Sequence, residues 1–214
     1  MIGDAIVATS RSLVRDRLTT GTSGNVSVRD GQLFWITPSG VAPDEMTAEQ
    51  IVAVDEHGEA ADAPSRPSSE WQFHLAIYEA RSDIGAIVHT HSPWATAVSC
   101  TRRDLPPFHY MMVGTGDGTL RCAPYDPPGS QRLAASVVDA LGARAACLLA
   151  NHGVVATGGD LAAATAMARE VETLAQQYCL AQLLGGPELL DRHEVAELAE
   201  IFKTYGPQSR ESTE

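Results

Sequence analysis

The sequence predicts a single-domain α/β protein, and three observations carry that prediction. Short apolar or alternating stretches of strand length, at residues 26–28, 51–54, 86–90 and 147–150, are interleaved with longer stretches whose apolar residues recur at three-to-four spacing. The 214 residues are 44% hydrophobic and 20% charged, enough to bury one sizeable core. No internal repeat and no linker divides the chain.

Residues 2–18 place Ile2, Ala5, Ile6, Leu13, Val14 and Leu18 in helical recurrence among charged positions, an amphipathic first helix. Helix propensity collapses at Thr19-Thr20-Gly21-Thr22-Ser23-Gly24-Asn25, whose hydroxyls and backbone N–H groups suit either a plain connection or an anion. A strand at 26–28 and a second at 31–36 follow, ending in the hydroxyl-rich turn Thr37-Pro38-Ser39-Gly40. Residues 43–50 read as a short helical connection, and 51–54 as a third strand closed by the turn Asp55-Glu56-His57-Gly58. Beyond a polar, proline-containing loop, Ser68 and Ser69 precede the periodic run that begins at Trp71 and read as its N-cap, with the free N–H groups of the helix directed forward. Glu70 fits two roles, an acidic residue favoured by the helix dipole or a carboxylate held beside a metal. His74 has no evident local partner and reads as filler.

The chain is organised around Ala86-Ile87-Val88-His89-Thr90-His91-Ser92-Pro93-Trp94. Side chains alternate along a strand, so His89 and His91 share one face and can chelate a divalent cation such as Zn²⁺ through neutral nitrogens. His152 ends a second apolar run and is followed by Gly153, which makes it the best third ligand. Three protein ligands with one position open is the arrangement of catalytic zinc.

Residues 93–100 read as a helix with proline at an early position, and 105–113 as an aromatic extended segment in which Tyr110 is a potential proton donor. A short strand at 119–123, a turn at 126–129 and a helix at 130–141 capped by Ser130 lead to the His152 strand and its return at 153–158. Asp160 caps a long alanine-rich helix to about Leu184, where Met167, Val171, Leu174 and Tyr178 recur as core packing. A last helix covers about 187–204, and residues 207–214 read as a disordered tail.

A formal net charge of −12 excludes a nucleic-acid backbone and an anionic membrane as natural partners. The first twenty residues carry Asp4, Arg11, Arg15, Asp16 and Arg17, which excludes a signal peptide and predicts a cytoplasmic protein. Cys100, Cys122, Cys147 and Cys179 are widely spaced among apolar neighbours and read as reduced core thiols.

In order and spacing, Gly21-Thr22-Ser23-Gly24-Asn25, Thr37-Pro38-Ser39-Gly40, Pro67-Ser68-Ser69-Glu70, His89-Thr90-His91 and Asn151-His152-Gly153 closely resemble the class II aldolase/adducin-head family, in particular its L-fuculose-1-phosphate aldolase branch. The resemblance extends to Phe108-His109-Tyr110-Met111, Cys122-Ala123-Pro124-Tyr125 and Phe202-Lys203-Thr204-Tyr205-Gly206, nearly the whole chain. It implies a three-layer α/β/α fold around a largely antiparallel sheet over residues 1–206, assembled as a homotetramer with active sites between subunits. It implies that His89, His91 and His152 hold catalytic Zn²⁺, one per subunit. Glu70 becomes the acid/base, and Tyr110 a proton donor reaching into the neighbouring site. Asn25, Ser39, Gly40, Ser68 and Ser69 become the holders of the substrate phosphate, and Phe202 and Tyr205 approach the aldehyde side.

The implied reaction is cleavage of a ketose 1-phosphate to dihydroxyacetone phosphate and a small aldehyde such as L-lactaldehyde. A bound cation supplies Lewis-acid stabilisation of the enediolate with no Schiff-base lysine, and Lys203 is the sole lysine of the chain. An acidic protein still binds such a substrate when hydroxyls, backbone N–H groups and a helix N-terminus form the cradle. Other activities on the same scaffold stay open: an aldolase for 5-deoxyribulose or methylthioribulose 1-phosphate, a pentulose-phosphate 4-epimerase, and a methylthioribulose 1-phosphate dehydratase. Pro127-Pro128 and Gly114-Thr115-Gly116-Asp117 depart from the fuculose enzyme on the aldehyde side. A non-enzymatic adducin-like interaction module is the remaining alternative. Against it stands the complete set of three histidines beside a carboxylate, which such a module has no physical need to keep.

Overall fold

A computed structural model describes residues 1–61 and 63–204. In chain order the elements are α1 (Ile2–Arg15), β1 (Asn25–Asp30), β2 (Leu33–Ile36), β3 (Val52–Val54), α2 (Trp71–Ala80), β4 (Ala86–Thr90), α3 (Pro93–Ser99), β5 (Cys122–Ala123), α4 (Gln131–Leu141), β6 (Ala146–Leu149), β7 (Gly153–Gly158), α5 (Leu161–Leu183) and α6 (Arg192–Phe202). The strands form one sheet in the order β3-β2-β1-β4-β7-β6-β5. Every pairing is antiparallel except β5 with β6.

The period-two alternation of the strands sorts the core into two faces. Val26, Ala86, Val88, Val154 and Ala156 join Ile6 of α1, Ala95 and Val98 of α3, and Ala164, Ala168 and Val171 of α5. Ile87, Cys147, Leu149 and Val155 join Phe73 and Ile77 of α2 and Leu133, Val137 and Leu141 of α4 on the other. Two helical layers therefore sandwich the sheet, the three-layer arrangement predicted. β4 lies at the middle of the sheet with all five residues buried, which is why it reads as a continuous apolar run interrupted by one histidine and one threonine.

Helix boundaries follow local chemistry. Ser130 accepts from Leu133 N at 3.1 Å to start α4, Asp160 accepts from Ala163 N at 2.8 Å to start α5, and Asp191 with Glu194 forms a capping box at α6. Proline opens α3, whose own Ser92 makes no side-chain cap. Its free N–H groups are taken up from a distance, because the Glu172 carboxylate of α5 accepts from both Trp94 N and Ala95 N at 2.9 Å.

Outside the site, the structure departs from the sequence reading in two connecting segments and in the cysteines. Residues 43–50 give only a single 3₁₀ turn, at Ala48–Gln50. The aromatic segment is not extended: Leu105 forms an isolated bridge with Leu120, and Tyr110–Thr115 wind into a 3₁₀ turn. Pro106 and Pro107 remove two ladder donors, and the His109 imidazole accepts from Met111 N at 3.3 Å to begin the turn. All four cysteines are free, but Cys147 alone is fully buried, and Cys100 is exposed. Among the described residues no helix is long and apolar enough to cross a membrane.

Candidate active site

The strand expected to carry the paired histidines forms, with one refinement. β4 ends at Thr90, so His89 is a ladder residue and His91 lies just beyond it. His89 Nδ1 is 2.9 Å from the carbonyl oxygen of Val154. A carbonyl can only accept, so Nδ1 carries the proton and Nε2 turns its lone pair toward the site. His152 enters from the β6–β7 turn, lifted by Asn151 in the left-handed conformation with φ 55°. Gly153 is required next to it, because a Cβ there would come within 2.3 Å of the Thr90 carbonyl oxygen and 3.0 Å of the His91 ring.

The three imidazoles stand edge-on to one another, with every pair of ring centroids 4.9 Å apart and interplanar angles of 71–75°. Glu70 completes the group, and one ligand atom from each of the four residues lies within 4.8 Å of all the others. Glu70 Oε2 is 3.3 Å from His89 Nε2 and Oε1 is 3.2 Å from His152 Nε2, yet the buried Oε1 makes no hydrogen bond. An oxygen left so beside converging imidazole nitrogens fits a divalent cation, and three nitrogens plus an exchangeable oxygen suit Zn²⁺.

Electrostatics act on two members of the set, His91 and Glu70. Burial lowers the pKa of His91 to about 4, helped by His89 and His152, so its ring is neutral at pH 7. Burial pushes the Glu70 carboxyl up, but the adjacent His89 and His152 imidazoles outweigh it and hold the group well below the usual carboxylate range.

Glu70 is the N-cap residue of α2, not a first-turn residue, and its side chain makes no cap hydrogen bond. The serines do not cap the helix as predicted. Ser39 N donates to Arg66 O and Ser68 N to Thr37 O, each at 2.9 Å, and this lacing of two loops holds Ser68 outside the helix. Ser68 Oγ instead accepts from Glu70 N at 3.4 Å. The lacing also brings the loop carrying Ser39 and Gly40 beside the loop carrying Ser68 and Ser69, all exposed but Ser68. A small cavity lined by Thr19, Ser23, Gly24, Asn25 and Thr37 adjoins the first of these loops.

Asn25 is buried, and its amide nitrogen donates to Glu70 Oε2 at 3.0 Å. Tyr110 is half-exposed and packs on His109 and on Phe202, whose ring centroid is 6.3 Å away. Glu70, His89, His91, His152 and Asn25 thus form one centre, whereas Tyr110 and Phe202 form a separate aromatic pair. Tyr205 and the predicted disordered tail lie outside the described residues.

Three polar residues behind Glu70 were not predicted. His74 is fully buried between Asn25 Oδ1, 2.5 Å from its Nε2, and Ser27 Oγ, 2.7 Å from its Nδ1. Ser27 Oγ is in turn 2.8 Å from the Tyr78 hydroxyl. Burial drives the His74 pKa down to about 3, with the neighbouring His89 adding to it. The signal was present in the sequence as two periodicities: Glu70, His74 and Tyr78 at helical spacing of four, and Asn25 and Ser27 at strand spacing of two.

Residues 4–179 match the family of Class II Aldolase and Adducin N-terminal domains. The chain is 41% identical over 205 residues to a 5-methylthioribulose-1-phosphate/5-deoxyribulose-1-phosphate aldolase of Rhodospirillum rubrum, covering 96% of this chain and 92% of the relative. It is 42% identical over 204 residues to an L-fuculose phosphate aldolase of Escherichia coli, covering 94% of each. A solved structure of an L-fuculose 1-phosphate aldolase superposes with a TM-score of 0.91 at 40% identity, covering 94% of this chain and 96% of that one.

Proposed function

The chain belongs to the family of class II aldolase and adducin N-terminal domains and is a class II aldolase, and from that premise we propose that it reversibly cleaves a ketose 1-phosphate of the L-fuculose 1-phosphate type. The products are dihydroxyacetone phosphate and a small aldehyde such as L-lactaldehyde. The observation that carries this reading is the triangle of imidazoles at equal 4.9 Å spacing with the Glu70 carboxylate against it.

His89, His91 and His152 would hold the metal, which we assign as Zn²⁺ from the nitrogen-rich donor set. Bound there, the ion supplies the Lewis acidity that stabilises an enediolate at neutral pH. Glu70 is anionic at that pH and takes the C3 proton in the condensation direction, returning it in cleavage. The paired loops with Ser39, Gly40, Ser68 and Ser69, together with Asn25, receive the phosphate through hydroxyls and backbone N–H groups, which suits an acidic chain.

Tyr110 is 45% exposed, as a residue serving a neighbouring subunit must be, and its role is to protonate the aldehyde oxygen. Phe202 beside it, with Tyr205, lines the aldehyde side. A homotetramer is supported by Leu183 and Leu184, exposed by 82% and 89% at the end of α5, a patch that another copy would cover.

The test is condensation of dihydroxyacetone phosphate with lactaldehyde, acetaldehyde, glycolaldehyde and methylthioacetaldehyde, with and without chelator. Chelator-sensitive product formation that peaks on lactaldehyde is the expected result. A peak on methylthioacetaldehyde or acetaldehyde would reassign the ketose, and no condensation with any aldehyde by zinc-loaded protein would overturn the aldol reading.

A further inference from the structure

We propose that His74 is a positioning residue for Glu70, acting through Asn25: a one-way chain of hydrogen bonds from Tyr78 through Ser27, His74 and Asn25 fixes the Asn25 amide with its NH₂ aimed at the Glu70 carboxylate. The catalytic consequence rests on the role given to Glu70 above, whereas the direction of the chain rests on the geometry alone.

The direction can be deduced link by link. An ionised carboxylate only accepts, so the Asn25 atom 3.0 Å from Glu70 Oε2 must be the amide nitrogen. That leaves Asn25 Oδ1 facing His74 Nε2 at 2.5 Å, and because an amide oxygen only accepts, Nε2 must carry a proton. A neutral imidazole has one N–H, so Nδ1 accepts from the Ser27 hydroxyl at 2.7 Å. Ser27 Oγ, its proton spent, accepts from the Tyr78 hydroxyl at 2.8 Å. Each donor is forced by the acceptor ahead of it, and reversing any link would set an amide oxygen against a carboxylate.

The surroundings exclude solvent from the chain. Asn25 and Tyr78 are 5% exposed, and Ser27 and His74 are 0% exposed, so water does not compete along the chain. Arg29 lies over the Tyr78 ring, 4.7 Å from its centroid, and closes the far end. Glu70 needs such a brace, because at the N-cap of α2 its side chain makes no bond to its own helix. A primary amide turned by half a rotation presents oxygen instead of nitrogen. His74 is the group that distinguishes the two states.

Two substitutions separate this role from packing. The amide nitrogen of glutamine reaches the place of imidazole Nε2, whereas that of asparagine reaches only the place of Nδ1. In cleavage of L-fuculose 1-phosphate, His74→Asn is expected to lower kcat about 10–100-fold with KM within about twofold, the usual cost of losing an outer-shell partner. His74→Gln is expected to recover kcat to within about threefold of the parent. Equal kcat values for the two variants, high or low, would overturn the proposal. ¹⁵N NMR of the resting wild-type protein, with no substrate added, reads the tautomer directly. A protonated Nε2 and an unprotonated Nδ1 between pH 6 and 8 are expected, and a protonated Nδ1 would sink the chain as drawn. That arm needs no turnover, so failure of the relay and failure of the aldolase reading give different results.

Discussion

Asn25 and His89 stand opposite each other across the β1–β4 ladder, with side chains on the same face of the sheet. Strand pairing itself therefore sets the amide that holds Glu70 next to the first imidazole of the histidine triangle. A slip of one residue in that register would put the two on opposite faces.

Gly24 guards this register. It has φ +80°, and a Cβ on it would lie 2.7 Å from the His89 carbonyl oxygen. Gly24→Ala is expected to cost about 2–3 kcal/mol, combining left-handed strain with the clash. Denaturant melts should show the loss, and metal affinity should fall with it. Unchanged stability and metal affinity together would mean that the β1–β4 junction is slack.

His91→Ala removes one vertex of the imidazole triangle. Metal content, measured on protein dialysed without added zinc, is expected to fall below about a tenth of an equivalent, because one of the three converging imidazoles that would hold the ion is lost. Turnover should fall in parallel.

Glu70→Gln keeps the three histidines and the shape of the side chain while removing its charge. Bound metal is expected to remain near one equivalent, with kcat reduced about 10²–10⁴-fold as for loss of a general base. A metal-replete variant with full activity would remove Glu70 from the acid/base role.

Acid should destabilise the fold through buried histidines. In the unfolded chain His74 takes up a proton near its ordinary value of 6.5, but in the fold only near pH 3. The unfolded state thus binds more protons between those values, so this contribution is complete above pH 6.5 and is lost as pH falls toward 3. His91, lowered to about 4, acts in the same direction. Each proton contributes a slope of about 1.4 kcal/mol per pH unit. His74→Gln should have a shallower acid limb by one proton in urea melts from pH 6.5 to 4.5, and an identical slope would contradict the buried neutral ring.

Ser69 is exposed beside the paired loops. Ser69→Ala is expected to raise KM for a phosphorylated ketose by about tenfold, the worth of one hydrogen bond to a charged group, while kcat stays within about twofold. Steady-state kinetics on L-fuculose 1-phosphate would check it. A fall in kcat with unchanged KM would point to a role outside phosphate binding.

The parts legible in the sequence are those set by short-range rules. Alternation alone put His89 and His91 on one face, and Ser130 and Asp160 announced their helices as caps. The long-range parts were not legible in that way. Ser68 resembles an N-cap locally, but hydrogen bonds to a loop about thirty residues earlier withdraw it from the helix. His74 looked unpartnered because its partners, Asn25 and Ser27, lie on a strand nearly fifty residues away. Tyr110 fits a strand by composition, and two prolines with a histidine cap turned it into a 3₁₀ turn.

The placing of β4 between β1 and β7 has a kinetic meaning. Its neighbours on either side are separated from it by long stretches of chain, and closing such loops loses entropy before any ladder bond rewards it. The histidine triangle therefore cannot assemble in a nascent or half-folded chain, since its vertices come from β4 and from the β6–β7 turn. A metal held by these residues would therefore be captured late in folding, by molecules whose sheet is already closed.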